Sequence, residues 1–445
     1  MKNELNVKHS LIRCTFLSLY LVLGSPVSVY AGKDSISPTV DFEFDDPPPT
    51  VNRVSDSLSW GAEVRLDLER FDNLDLDDSD DDQITVLEPL VRTALSYIPN
   101  ASFRGFLDLE LSSEQVVSQG DDSNEDDETH LRLREAYLLF PELSDTFSLQ
   151  LGRQRFSDSR TWWYDARIDS ARLYYRSGRY GAQISAGQRI FVGDDFLADN
   201  SEDNTNYFIF TGRYAISDKA DIRPYLLIRN SRADDGDEDP VFLGIQSAGK
   251  LSSDMKYWLN AAYVGGSDGD NDIRAWGLDL GASYRFDVTW KPAITLAAAF
   301  GSGDSDPDDG VDRNFRQTGL EENKAKNFGV TRFRYYGEVL DPELSNMQIL
   351  TAGLGVRPTR KSSIDLVYHY YRQDVASDTL RDTDLDEDPA GVDRALGDEL
   401  DLIIGYRGIK NMKLRLILGA FLPGSAFERH TDTALLAKFR IAYRF

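Results

Sequence analysis

The feature that most constrains the fold is the last eleven residues, Leu435-Leu436-Ala437-Lys438-Phe439-Arg440-Ile441-Ala442-Tyr443-Arg444-Phe445. Counting back from the carboxyl end, every second residue is apolar: Phe445, Tyr443, Ile441, Phe439, Ala437 and Leu435. A period of two puts these on one face of a β-strand and Arg444, Arg440 and Lys438 on the other. One face suits apolar surroundings and the other is basic. A soluble edge strand alternates in the same way, so the rest of the chain has to decide between the two.

The amino terminus places the chain outside the cytoplasm. Lys2, Lys8 and Arg13 precede an apolar run from Cys14 to Leu23, and Val29-Tyr30-Ala31 supplies small residues at −3 and −1 of a cleavage site. This is the pattern of a secretory signal peptide over residues 1–31. Cys14 is the sole cysteine, so the mature chain is expected to have no disulfide and no thiolate metal site. Beyond residue 31 no apolar run reaches the roughly 18 residues that a spanning helix needs.

The net charge of −26 suggests a soluble acidic protein until it is divided by position. Seven segments (72–82, 121–128, 194–203, 234–239, 268–272, 304–312 and 374–388) hold 38 acidic residues against one base, Arg381. They carry −37 of the total, which leaves +11 on the rest of the chain. Between them the sequence reads as amphipathic strands. Leu58, Trp60, Ala62, Val64, Leu66 and Leu68 alternate with Ser59, Gly61, Glu63, Arg65, Asp67 and Glu69. Met412, Leu414, Leu416, Leu418, Ala420 and Leu422 alternate with Lys413, Arg415, Ile417, Gly419 and Phe421. Segments of about ten residues with this period, separated by turns, are the signature of a transmembrane antiparallel β-barrel. Trp60, Tyr97, Tyr175, Tyr207, Tyr263, Trp276, Tyr284, Trp290 and Tyr443 fit its interfacial girdles.

Short turns such as 98–100, 177–179, 252–254 and 358–361 alternate with the acidic segments, as short periplasmic turns alternate with long outer loops. A first count gives nineteen strand-like runs, which breaks the even parity of such barrels. The run Val330–Glu338 is the one to drop, because strand 291–303 must run outward and strand 346–357 inward. Residues 304–345 then form one long outer loop, and eighteen strands remain with both termini in the periplasm. Residues 32–56 contain Asp45-Asp46-Pro47-Pro48-Pro49 and read as an extended periplasmic lead-in, with a short plug as the alternative. The barrel occupies 57–445.

Two resemblances join this reading. A chain ending on an aromatic residue in an amphipathic strand resembles the carboxyl-terminal assembly signal of outer-membrane barrels, here Tyr443 and Phe445. The stretch Leu151-Gly152-Arg153-Gln154-Arg155-Phe156, with Trp162-Trp163-Tyr164-Asp165 and Arg172 after it, resembles the bacterial outer-membrane alginate export porin family. So do Phe315-Arg316-Gln317-Thr318-Gly319-Leu320, Thr331-Arg332-Phe333-Arg334-Tyr335-Tyr336-Gly337-Glu338 and Leu340-Asp341-Pro342-Glu343-Leu344-Ser345-Asn346. The resemblance implies an eighteen-stranded monomeric barrel in a Gram-negative outer membrane, whose arginine-lined pore passes a linear polyuronate.

The residues can be read beside that implication. A polyuronate carries one negative charge per sugar, so its passage needs cations that lower the barrier without trapping the chain. Arginine suits carboxylates because its planar fork bonds both oxygens and stays charged. By strand parity Arg65, Arg92, Arg104, Arg172, Arg213, Arg229, Arg415, Lys438 and Arg440 face the lumen, with Glu63, Asp67, Asp108, Glu110, Asp279, Asp365, Glu399 and Asp401 as acidic partners. Such networks also simply stiffen large barrels, and both readings stay open. Arg153, Arg155 and Arg160 adjoin the loop 157–167, which either extends the wall or folds inward as a constriction; Arg332 and Arg334 in the long loop pose the same choice.

The acidic segments admit solvation, repulsion of a departed polyanion, or bridging by divalent cations to each other or to lipopolysaccharide. Asp75, Asp77, Asp384 and Asp386 have the alternate carboxylates of calcium loops but lack the glycine and final glutamate of an EF-hand. No other cofactor is expected. His130, His369 and His430 are far apart, and catalytic, phosphate-binding and nucleic-acid motifs are absent, so no enzyme is expected. Three functions remain: export of an anionic polysaccharide alongside a periplasmic scaffold, selective diffusion of small acids, or an acidic surface adhesin.

Overall fold

The computed structural model describes residues 43–445 except 78, 80–81, 122–124, 191–192, 194, 199–204, 234–235 and 428–431. Its long strands are β1 (Leu58–Asp72), β2 (Ile84–Asn100), β3 (Phe103–Gln119), β4 (Glu128–Phe140), β5 (Phe147–Ser157), β6 (Asp165–Ser177), β7 (Tyr180–Gln188), β8 (Asn206–Ser217) and β9 (Ala220–Ala233). They continue as β10 (Gly236–Lys250), β11 (Met255–Asp268), β12 (Asn271–Arg285), β13 (Ala293–Gly301), β14 (Met347–Thr359), β15 (Ser362–Gln373), β16 (Ala395–Tyr406), β17 (Met412–Pro423) and β18 (Ala434–Arg444). These eighteen strands form a closed antiparallel barrel. β18 returns to β1 in a register from Glu63↔Arg444 to Asp72↔Leu435, so the sheet has no open edge. Among the described residues no helix is long and apolar enough to cross a membrane.

The faces follow the period of two. Val64, Leu66 and Leu68 are 44, 38 and 39% exposed on the outside of β1, while Glu63 and Asp67 at the alternate positions are 0 and 1% exposed inside. Putting the charges inward is required, because an Arg or Lys on the lipid face costs about 2–4 kcal/mol at the bilayer midplane. Tyr97, Tyr263, Trp276, Tyr284, Trp290 and Tyr443 are exposed, as girdle residues should be. Tyr207 is a correction: it shares the inward face of β8 with Ile209 and Thr211 and is 4% exposed. The run 330–338 is not a wall strand. It lies in the single connection between β13 and β14, where Phe333-Arg334 pair only with Lys324-Ala325.

Candidate functional site

Register builds the lumen wall. Directly opposed residues on neighbouring strands bring their Cβ atoms to about 4.5–5.5 Å. Glu63 therefore stands between Arg92 on β2 and Arg444 on β18, and Arg92 stands opposite Glu110 on β3. The Arg92 Nε donates to both Asp108 oxygens at 2.9 and 3.0 Å, Arg444 donates to Glu63, and Arg134 reaches Glu110 at 3.3 Å. Farther along the same two strands, β1 and β18, Arg440 meets Asp67 at 2.7 Å, Arg65 meets Asp67 at 3.0 Å, and Lys438 lies 3.7 Å from Glu69. Opposed charges on this side of the barrel hold the guanidinium groups in fixed positions.

The β5–β6 hairpin supplies a second set. On β5, Arg153 and Arg155 share the parity of Leu149 and Leu151, the lipid-facing one; on β6, Asp165, Arg167 and Asp169 share the parity of Ala171 and Leu173. Kept in the wall, these five charges would point into lipid, so the hairpin has to leave the wall. β5 pairs with β4 only up to Arg153, and at Gly152 the backbone turns through φ 115°. A Cβ there would stand 2.3 Å from the Ala136 carbonyl oxygen. Asp195, from the loop after β7, bridges to Arg132 on the outer part of β4. Beyond Gly152 the hairpin lies inside the barrel. Arg153 grips Asp169 through two bonds of 2.8 and 2.7 Å, and Arg155 grips Asp165 at 2.6 and 2.8 Å. The tip is buried: Trp163 stacks on Tyr225 of β9 at 4.7 Å, and Trp162 donates to the Tyr336 hydroxyl at 2.9 Å. Of the two arrangements open for 157–167, the inward one is present.

The long connection 302–346 also folds inward. Phe315, Phe333, Tyr335, Tyr336, Val339, Leu340 and Leu344 are buried in one apolar cluster with the hairpin tip. The Glu399 carboxylate on β16 fastens it, accepting the backbone N–H groups of Glu338, Val339 and Leu340 at 2.7, 2.8 and 3.1 Å and the Tyr371 hydroxyl at 2.9 Å. Arg334 pairs with Asp341 at 2.6 Å and Asp384 at 3.0 Å; the Arg332 guanidinium donates to the Lys324 carbonyl at 2.8 Å. Burial pushes the Asp341 carboxyl up to about 7, against the pull of Arg334 and helped by the Asp384 charge.

The third inward element is the lead-in. Residues 43–49 do not extend into the periplasm; they lie in the lumen, and Asn52-Arg53 pair with β1 on the way. Glu43 meets Lys413 at 2.8 Å and also Lys326; Asp46 meets Arg155 at 3.0 Å. Arg92 and Arg167 donate to the Asp45 carbonyl at 3.3 Å, and Arg92 also to that of Asp46 at 3.2 Å. Arg444 donates to the carbonyls of Glu43, Asp46 and Pro47 at 3.0, 2.6 and 3.4 Å. The Phe44 ring, 3% exposed, has Lys413, Arg415 and Arg440 at 4.4, 5.3 and 5.3 Å.

Of the residues expected from parity, Arg65, Arg92, Arg415, Lys438 and Arg440, with Glu63, Asp108 and Glu110, belong to this one region around β17, β18, β1–β3 and the hairpin, and the loop-adjacent Arg153 and Arg155 join them there. The others do not. Arg104 is exposed at the periplasmic rim. Arg172 bonds Gln183 at 3.1 Å and covers the Phe156 ring at 4.1 Å, and Arg213 pairs with Asp221 at 2.8 Å. Both line a cavity of about 690 Å³ that also reaches Arg176 and Arg223. A second cavity, about 480 Å³, adjoins Arg213, Arg223, Lys250 and Lys256. Arg229 pairs with Glu238 at 2.6 Å.

Three acidic partners are corrections. Asp279, Asp365 and Asp401 face inward, but the long connection covers them. Asp279 binds Trp258, Asn260 and Arg160 at 3.1, 3.0 and 3.5 Å, Asp365 abuts Gly329, and Asp401 lies 3.7 Å from His369. The two segments that carry the calcium candidates meet, the Asp386 N–H donating to the Leu74 carbonyl at 3.0 Å, but among the described residues Asp75, Asp77, Asp384 and Asp386 form no group close enough to share an ion. Asp75 and Asp77 accept loop N–H groups at 3.1 and 2.9 Å and Asp384 is taken by Arg334; the His, Asp and Glu group close enough to share an ion, among the described residues, is Glu114, Glu128 and His130. Sequence reasoning missed Lys413, Arg167, Arg134 and the lead-in acids. Arg167 and Asp169 carried a usable signal, a charged pair on lipid parity.

A closed barrel of this kind, with a charged lumen narrowed by inward segments, is an outer-membrane porin-type protein. The alginate export family profile matches residues 56–439, and the chain belongs to that family. It is 26% identical over 381 residues to the alginate production protein AlgE of Pseudomonas aeruginosa, covering 72% of this chain and 75% of that one. It is 28% identical over 188 residues to AlgE of Azotobacter vinelandii, covering 37 and 38%. Among solved structures it resembles the Pseudomonas aeruginosa outer membrane protein OprD with TM-score 0.57 at 11% identity, covering 87% of this chain and 93% of that one. It resembles OccK7 of the same organism with TM-score 0.54 at 15% identity, covering 87 and 99%. At these identities the structural matches speak for the fold alone.

Proposed function

We propose that this barrel exports an alginate-like polyuronate through its arginine-bearing lumen and does no catalysis. The observation that carries the reading is the convergence of Arg92, Arg155, Arg167, Lys413, Arg440 and Arg444 on the lead-in inside the lumen, a concentration of cations that a wall stiffener does not need. Carboxylates and oxygens of an incoming polyanion meet forked donors there, while Glu63, Asp67 and Asp108 keep each donor from binding too tightly. In this reading the chain is made with a signal peptide over 1–31, is inserted by the barrel assembly machinery through Tyr443 and Phe445, and sits as a monomer among lipopolysaccharide beside a periplasmic export scaffold.

The test is planar-bilayer conductance with added oligomannuronate. An anion-selective current blocked by the oligomer, with block weakened at least about tenfold by Arg155→Ala plus Arg440→Ala, is expected from the loss of two charge-assisted contacts. Cation selectivity without block would sink the reading. The two cavities near Arg172 and Arg213 favour a second reading, diffusion of small acids, and monomeric uronate carrying most of the current without oligomer block would select it.

A further inference from the structure

The lead-in acids occupy the cradle that a polyuronate would use, and the wall is shaped to receive them. The Pro49 carbonyl lies so close over Gly61 on β1 that a Cβ at that position would stand 2.1 Å from it. Asp45, Asp46 and Glu43 add three negative charges to a space already walled by cations. Burial raises the Asp45 carboxyl, but Lys324, Arg440, Arg155 and Arg65 together outweigh it and hold the group well below the usual carboxylate range. The carboxylates of the segment face basic side chains, and its backbone is held through carbonyl oxygens rather than through apolar packing, Phe44 excepted.

We propose that residues 43–47 are an intramolecular competitor for the anion site of the pore. Their carboxylates and carbonyl oxygens stand in for the carboxylates and ring oxygens of successive uronate units. The inference rests on the export reading for the identity of the competing ligand. The chemistry matches point for point: Glu43 and Asp46 present carboxylates to Lys413 and Arg155, and the carbonyls between and beside them present neutral oxygens to Arg92, Arg167 and Arg444. A tethered competitor acts at a millimolar effective concentration, so a short free oligomer displaces it poorly. A long polymer, with many carboxylates in reach of the same cations, displaces it well. The lead-in thus closes an idle pore and yields to its polymeric cargo.

The test compares three purified barrels in planar bilayers: the full mature chain, a chain lacking residues 32–49, and the variant Glu43→Gln/Asp45→Asn/Asp46→Asn. Conductance and the oligomannuronate concentration for half-block are measured from the periplasmic side, and a synthetic peptide of residues 39–50 is then added. Expected are larger conductance and at least about fivefold tighter block in both altered chains, with the peptide blocking the truncated chain and competing with oligomannuronate. Equal conductance and equal half-block in all three overturn the competition and leave the export reading standing. Block by the peptide with none by oligomannuronate in any chain overturns the polyuronate reading instead. If the truncated barrel does not insert, the neutral variant, whose three changes lie outside every strand, decides the same question.

Discussion

At the scale of single residues, Glu399 shows how one wall carboxylate sets the shape of the lumen. Its oxygens receive three consecutive backbone N–H groups of the long connection and a tyrosine hydroxyl. Hydrogen bonds to a charged group are worth about 1.5–3 kcal/mol each, and an uncharged amide accepts fewer of them. In Glu399→Gln, amide exchange at 338–340 is expected to speed up about thirtyfold, corresponding to about 2 kcal/mol of lost local stability. Unchanged exchange there would show that the apolar cluster alone holds the segment. Sequence parity assigned Glu399 to the inner face, and Glu63, Asp67 and Arg440 with it, because a period of two leaves a charge no other choice. Parity says nothing about what lies across the lumen, so Asp279, Asp365 and Asp401 were expected to line an open lumen and instead lie beneath a covering segment.

At the scale of elements, strand number and order were legible because each strand buries its own alternation and antiparallel neighbours need only short turns. The inward elements were not legible as such. The long connection has no period, and its aromatics bind partners far away in sequence, as Tyr336 does with Trp162, 174 residues away. The hairpin bend has one local cause that can be tested. Gly152→Val puts a side chain into the Ala136 carbonyl at φ 115°, so the hairpin is expected to lose its inward seat. Higher single-channel conductance together with loss of Trp162 and Trp163 burial, read by fluorescence quenching, is the expected result; native quenching would sink it. The long connection should also respond to pH. Burial raises Asp341 to about 7 from an ordinary ~3.9, and burial raises Glu321 and Glu343, the Glu343 charge adding to the shift at Glu321. The docked state therefore binds protons more tightly than the undocked one. Docking is strongest at acidic pH, weakens as pH climbs between about 4 and 7, and is flat above. Exchange at 317–344, corrected for intrinsic rates, should be slower at pH 5 than at pH 8, and Asp341→Asn should reduce the difference.

At the scale of the whole molecule, charge is separated along the transport axis. The acidic segments, with −37, lie mainly in the connections at the outer end, while the cations converge on the lead-in in the lumen. A polyanion approaching from the periplasm meets attraction, and one approaching from outside meets repulsion first. Such surface fields reach about 30 Å at 0.01 M salt, about 10 Å at 0.1 M and only about 3 Å at 1 M. Half-block by oligomannuronate is therefore expected at roughly tenfold lower concentration from the periplasmic side than from the outer side at 0.1 M salt or below, and at nearly equal concentrations in 1 M salt. Replacing Asp304, Asp306, Asp308 and Asp309 by Asn should shrink the asymmetry at low salt without altering block from the periplasmic side. A sidedness that survives 1 M salt would assign the effect to the shape of the inward segments rather than to the outer field, and would remove the acidic loops from any account of direction.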